Sequence, residues 1–171
     1  LTPEEMTQGL NPTTVKASII FERCHIELQA LAHLAYDAFI HGEVQSLSPG
    51  LLDRHFPEPT LLYTLSSQLG VLRAFSLSTE EDQYPPHYFV HLTYQEYFTA
   101  LYMAQRLAIP ENLTREKEIQ RRQTIQIIAR LIQTERNNPR YAIVFVFLSG
   151  LVSMPEYAAG ADYFWDAIIP E

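Results

Sequence analysis

Within the run YFVHLTYQEYFTALYM, residues 88–103, the hydrophobic period changes once. Tyr88 to Leu92 is aromatic and β-branched, the composition of a strand. Tyr94, Tyr97, Phe98 and Leu101 then fall at i, i+3, i+4 and i+7, one apolar stripe of a helix, with Gln95, Thr99 and Arg106 assigned to the opposite side. Between the two periods, Thr93-Tyr94-Gln95-Glu96 matches the S/T-x-x-E capping box. In such a box the Thr93 hydroxyl accepts from the Glu96 backbone N–H, and the Glu96 carboxylate accepts from that of Thr93. The pattern predicts a strand feeding a capped helix, with His91 close to the junction.

The flanking segments extend this reading. The first dozen residues read as an irregular lead-in, Val15 to Phe39 is predicted helical with a break near Cys24, and residues 1–24 together are taken as a helical lead-in. Leu28, Leu31, Ala32, Ala35, Ala38 and Phe39 form its apolar face, opposite Gln29, His33 and Asp37, and Gly42 is its stop. Glu43–Leu47 is predicted as a short strand, and Ser48-Pro49 as the start of a short helix through Asp53. Thr60–Leu69 is the next helix, closed by Gly70; Val71–Leu77 and His87–Leu92 are strands joined by the acidic loop Ser78–Pro86. Beyond Thr93 the pattern is helical. One helix reaches about Ala108, and a second, opened by Thr114, reaches about Arg136 with Ile125, Ile128, Ala129 and Ile132 inward. Asn138-Pro139 restarts a helix, Tyr141–Val152 is apolar nearly all round, and an aromatic tail carries Tyr163, Phe164 and Trp165.

Composition narrows the function. With 47% hydrophobic and 19% charged residues among 171, the chain is globular. Twelve basic residues against 20 acidic ones argue against a nucleic-acid or anionic-membrane surface, which needs clustered Lys and Arg. The longest apolar run, residues 141–152, is too short to span a bilayer, which takes about 20 residues. A single cysteine, Cys24, forbids an internal disulfide, suits a reducing cytoplasmic setting and reads as a packed thiol. No secretory leader pattern is visible, and the chain opens on Leu1 without Met, so we expect an excised piece of a longer protein.

Catalytic signatures are missing from the sequence: it contains no G-x-x-x-x-G-K-[ST], G-x-S-x-G, H-E-x-x-H or C-x-x-C. No catalytic residue and no metal site are therefore assigned. His87 and His91 share a strand face but lack a third ligand nearby in sequence, and His25, His33 and His41 step around a helix without aligning. Phe89, Tyr97 and Phe98 fit inward positions of core elements. The plainest reading of His91 is a corner imidazole bonded to a backbone carbonyl.

Phe89, His91, Leu92, Gln95, Glu96, Tyr97 and Ala100 resemble the phrase F-x-H-L-x-x-Q-E-F/Y-x-A-A of NACHT proteins, the NOD-like receptor branch of the signalling ATPases, with Thr99 at a common alanine position. LQALAHLAYDAF (28–39) and LSSQLGVLRAF (65–75) are similar to that family's first and last winged-helix helices. The resemblance implies a mainly α fold: a winged-helix domain over residues 25–92 with a small β-hairpin wing, then the start of an α-superhelical domain over 93–171. It implies a regulatory, non-catalytic segment that couples the ADP/ATP (and Mg) state of a nucleotide-binding domain to closure and oligomerisation. That domain, following repeats and further copies of the chain would be its partners, and His91 would contact an ADP phosphate. Phe89, Thr93, Gln95, Glu96, Tyr97 and Phe98 would be structural motif positions. Two other classes compete: a helical protein–protein adaptor, and a DNA-binding winged helix, which the charge and the absence of Lys and Arg from Thr60–Leu69 disfavour.

Overall fold

A computed structural model describes residues 24–75, 84–108 and 114–169. The readings for the lead-in to residue 23, the break near Cys24 as approached from Val15, most of the acidic loop and the segment 109–113 lie outside these residues. Helix α1 spans His25–His41 and stops where the sequence predicts: Gly42 takes φ 83°, and the Glu43 N–H returns to the Ala38 carbonyl at 2.8 Å. That left-handed exit satisfies carbonyls which the helix end leaves open. Glu43 then organises the next turn. Its carboxylate accepts from the Ser48 N–H at 2.6 Å and the Ser48 hydroxyl at 3.0 Å. Ser48 Oγ in turn accepts from Leu51 N–H, capping α2, Pro49–His55, with proline at its first position.

Helix α3, Pro59–Tyr63, widens into a π turn over Thr64–Gln68 instead of continuing to Leu69, and Gly70 at φ 63° releases the chain. Strands β1, Leu72–Ala74, and β2, His87–Phe89, pair antiparallel with Leu72 opposite Phe89 and Ala74 opposite His87. Both are shorter than predicted within the described residues. The strand expected over Glu43–Leu47 contracts to one bridge, because Glu43 is engaged in the turn: Leu47 and His87 exchange both backbone bonds, at 2.7 and 3.2 Å. The element order is therefore helix, bridge, helix, helix, strand, strand, with the bridge on the free edge of β2.

The remaining elements are helices α4 (Leu92–Leu107), α5 (Arg115–Glu135), α6 (Ala142–Val152) and α7 (Ala161–Ile168), with 3-10 turns at Pro139–Tyr141 and Ala158–Gly160. The Asn138 side chain accepts from Arg140 N–H at 3.0 Å, so Asn138-Pro139 does open a new helical segment. Ile125, Ile128 and Ile132 are buried as their spacing predicts, and Ala129 is half-buried. α4 lies between α1 on one side and α6 on the other. One apolar core runs through α1, α2, both strands and α4–α7, so it crosses the 92/93 junction without a gap. Arg140 crosses as well: its guanidinium donates to the Phe39 carbonyl at the end of α1 and sits 4.7 Å from the Phe39 ring centroid. Among the described residues no helix is long and apolar enough to cross a membrane.

Candidate functional site

The corner between β2 and α4 is built from backbone outward. Val90 N–H bonds to the Val71 carbonyl at 3.1 Å, the last rung beside β2. His91 keeps extended angles, φ −136° and ψ 134°, and Leu92 is already helical. His91 is therefore the N-cap residue, and its carbonyl accepts from Tyr94 N–H at 3.0 Å.

This corrects the capping box. Thr93 lies inside the first turn and is exposed, and among the described residues the N-cap residue of α4 makes no side-chain cap hydrogen bond. Glu96 is half-buried, and burial pushes its carboxyl above the ordinary range. The Thr–Glu spacing is met, but the strand geometry persists only as far as His91, so the helix starts before the threonine.

The predicted helix faces are also corrected. Tyr94, assigned inward, is 44% exposed, while Gln95 and Thr99, assigned outward, are each 0% exposed. The reason is the sandwich: a helix covered by α1 and α6 buries two sides, not one stripe. Phe98 and Leu101 are buried and Tyr97 is half-buried, its ring 5.5 Å from Phe98 and 5.6 Å from Phe147. Phe89 is buried 6.5 Å from Phe98, ring to ring. Thr99 donates its hydroxyl to the Gln95 carbonyl at 2.7 Å, which accounts for a buried threonine in mid-helix.

Gln95 does more than fill space. Its Nε2 donates to the Glu43 carbonyl at 3.0 Å, tying α4 to the turn that closes α1 and caps α2. Its Oε1 meets no donor among the described residues. The sequence offers one signal for this bond, a glutamine in an otherwise apolar phrase, but the partner is too distant along the chain to be read from spacing.

His91 itself is exposed, with its ring edge-on to Tyr94 at 5.4 Å. The plain reading of a buried imidazole at the corner is thus replaced by a ring on the surface. The arrangement offers an N–H donor beside a helix N-terminus with no acidic residue in its first turn, a setting that favours an anion. His87 is instead buried, with Nδ1 2.7 Å from the Pro85 carbonyl; burial lowers its pKa, and that hydrogen bond opposes the shift. The two histidines do not converge. His25 bonds to Gln29 at 2.9 Å and His41 to Asp37 at 3.0 Å, so the helical histidines also go to separate partners. Among the described residues no group of three or more His, Cys, Asp or Glu is arranged to hold a metal. Cys24 is half-buried at the start of α1, and burial followed by the charge of Glu27 pushes its thiol up, away from a reactive thiolate. Set against models of known families, against curated proteins and against solved structures, the chain matches none.

Proposed function

We propose that this chain is a regulatory, non-catalytic segment of a NACHT-type signalling ATPase. In this reading residues 25–92 form a winged helix and 93–171 begin a helical domain. The segment transmits the ADP or ATP state of a nucleotide-binding domain into closure and oligomerisation. The observation that carries the reading is the exposed His91 at the mouth of an uncapped helix, delivered there by β2. The Leu47–His87 bridge supports it, because it puts a single edge residue beside the last strand in the order helix, bridge, helix, helix, strand, strand. Gln95 supports it too: it fixes the start of α4 against Glu43, so the imidazole is presented from a braced corner.

His91 then donates to an ADP phosphate and holds the closed arrangement, and exchange for ATP releases it. A hydrogen bond to a charged group contributes about 1.5–3 kcal/mol, enough to bias closed over open at least tenfold. The test is the nucleotide content of the polypeptide that carries this segment with whatever its gene encodes upstream. The reading expects an upstream G-x-x-x-x-G-K-[ST] loop and tightly held ADP after purification. An upstream region without that loop, or a nucleotide-free protein that stays so with added ADP, overturns it.

One observation favours a second reading, the protein–protein adaptor. Ile143, Val146 and Met154 on and just beyond α6 are 44%, 64% and 47% exposed, an apolar stripe on the outer side. The adaptor reading expects a stable complex without nucleotide, burying more than about 1,000 Å².

A further inference from the structure

A second cluster of side chains lies toward the other end of α4. His55 of α2 meets His33 of α1 edge-on, with ring centroids 4.6 Å apart. His33 stacks on Tyr102 of α4 at 5.3 Å with 9° between the planes, and the Arg106 guanidinium lies 4.9 Å from the Tyr102 centroid. These four side chains, with Gln29 and Gln105, line an open groove of about 720 Å³. No carboxylate lines it among the described residues, although the chain has 20 acidic side chains against 12 basic.

The nearest counter-charge is already engaged. Asp37 lies 3.0 Å from His55 Nε2, 3.0 Å from His41 Nδ1 and 3.6 Å from Arg54. Partial burial pushes the Asp37 carboxyl up, but the His55 hydrogen bond and the charges of His55, His41 and Arg54 outweigh it and hold the group low. Among the described residues, His33 and Arg106 pair with no carboxylate. Burial first, then the charges of His55 and Arg106, hold the His33 imidazole below its ordinary range, against a smaller pull from Asp37. An anion entering beside Arg106 favours the charged form of His33 and so opposes the lowering.

We propose that this groove binds a tetrahedral oxyanion of the phosphate-monoester class between Arg106 and His33. The planar guanidinium, steadied on Tyr102, supplies paired N–H donors that match such an anion. His33 supplies a proton-dependent donor, Gln29 and Gln105 supply neutral ones at the rim, and Asp37 fixes the orientation of His55. At about 1.5 Å rise per residue, Arg106 lies roughly 22 Å along α4 from His91, so the groove is separate from the corner.

The test follows the histidine ring resonances of the chain by NMR during titration with sulfate, inorganic phosphate and phenyl phosphate. Sulfate keeps its charge across the range, so the pH dependence of its affinity reports the protein. The groove predicts saturable shifts of His33 and His55, and sulfate binding that tightens as the pH falls and His33 gains its proton. Arg106→Gln weakens binding at least about tenfold, and Arg106→Lys by less because the charge stays and the fork is lost. Phenyl phosphate binding at least as tightly as inorganic phosphate supports an ester ligand, and the inorganic ion binding alone supports the free anion. Arg106 is exposed, so its variants keep the fold, checked by circular dichroism. Shifts that fail to saturate, or that are equal in Arg106→Gln, overturn the proposal.

Discussion

Alanine at position 160 would put its methyl carbon 2.7 Å from Leu107 Cβ, 3.1 Å from the Leu107 carbonyl carbon and 3.2 Å from Ala108 N. Carbon atoms prefer about 3.5–4.0 Å, so the overlap approaches about 1 Å. Rotating a side chain cannot relieve it, because the opposing atoms are a Cβ and the backbone at the end of α4. The 3-10 turn must lift away from α4, and overpacking of this kind costs about 1–3 kcal/mol. Gly150, inside α6, presents the opposite case: a Cβ there meets nothing within 4 Å. Gly150→Ala removes a flexible residue from a helix interior and stabilises by about 0.5–1 kcal/mol. The same chemical change is thus expected to carry opposite signs at the two sites. At about 2–4 °C per kcal/mol for a chain of this size, the two melting temperatures differ by roughly 3–16 °C. Urea denaturation of both variants, with unchanged slopes, measures the difference directly. If Gly160→Ala is as stable as the parent, or both changes have one sign, the packing of the 3-10 turn on α4 is wrong.

The remaining predictions use buried polar groups. Gln95→Met removes the bond to the Glu43 carbonyl and costs about 1 kcal/mol. Gln95→Glu places a carboxylate at a site with 0% exposure; it costs on the order of 3 kcal/mol or more at neutral pH, and that deficit shrinks as acid protonates it. Equal stabilities of the two variants by denaturant titration would contradict the buried position. For His87, burial sets the folded pKa below the ordinary 6.5, so the unfolded chain binds more protons. Its contribution is therefore complete above about pH 6.5 and lost as pH falls through the folded value. His33 works in the same direction. Asp37, lowered from 3.8, acts in a more acidic window: its contribution is present above that value and lost as pH falls through the lower folded one. His87→Gln flattens the upper part of the stability curve measured by thermal melts against pH, and an unchanged curve refutes the assignment.

What the sequence made legible was mostly local chemistry. Gly42 as a helix stop and Ser48-Pro49 as a helix start depend on backbone angles and one side-chain oxygen, and both hold. The α5 stripe was legible because α5 buries a single side, although Arg121, one turn before Ile125, is also buried at 6% exposure. α4 defeated the same method, since α1 and α6 cover it from two directions and no period within the helix encodes that. The strand limits were missed for a related reason. Glu43 spends its carboxylate and its carbonyl on Ser48 and Gln95, contacts invisible to β propensity, so the edge shrinks to Leu47. Of the corner, the order strand, histidine, helix could be read; the exposure of His91 and the absence of a threonine cap could not. The groove at His33 was invisible because α1, α2 and α4 each contribute to it.

The most direct measurement of the proposed role is the ADP affinity of the full-length protein with and without His91→Ala. If the exposed imidazole holds a phosphate, losing about 1.5–3 kcal/mol weakens ADP by roughly 10- to 150-fold and shifts the protein toward open, self-associated forms. An unchanged ADP dissociation constant together with an unchanged oligomer distribution would contradict it.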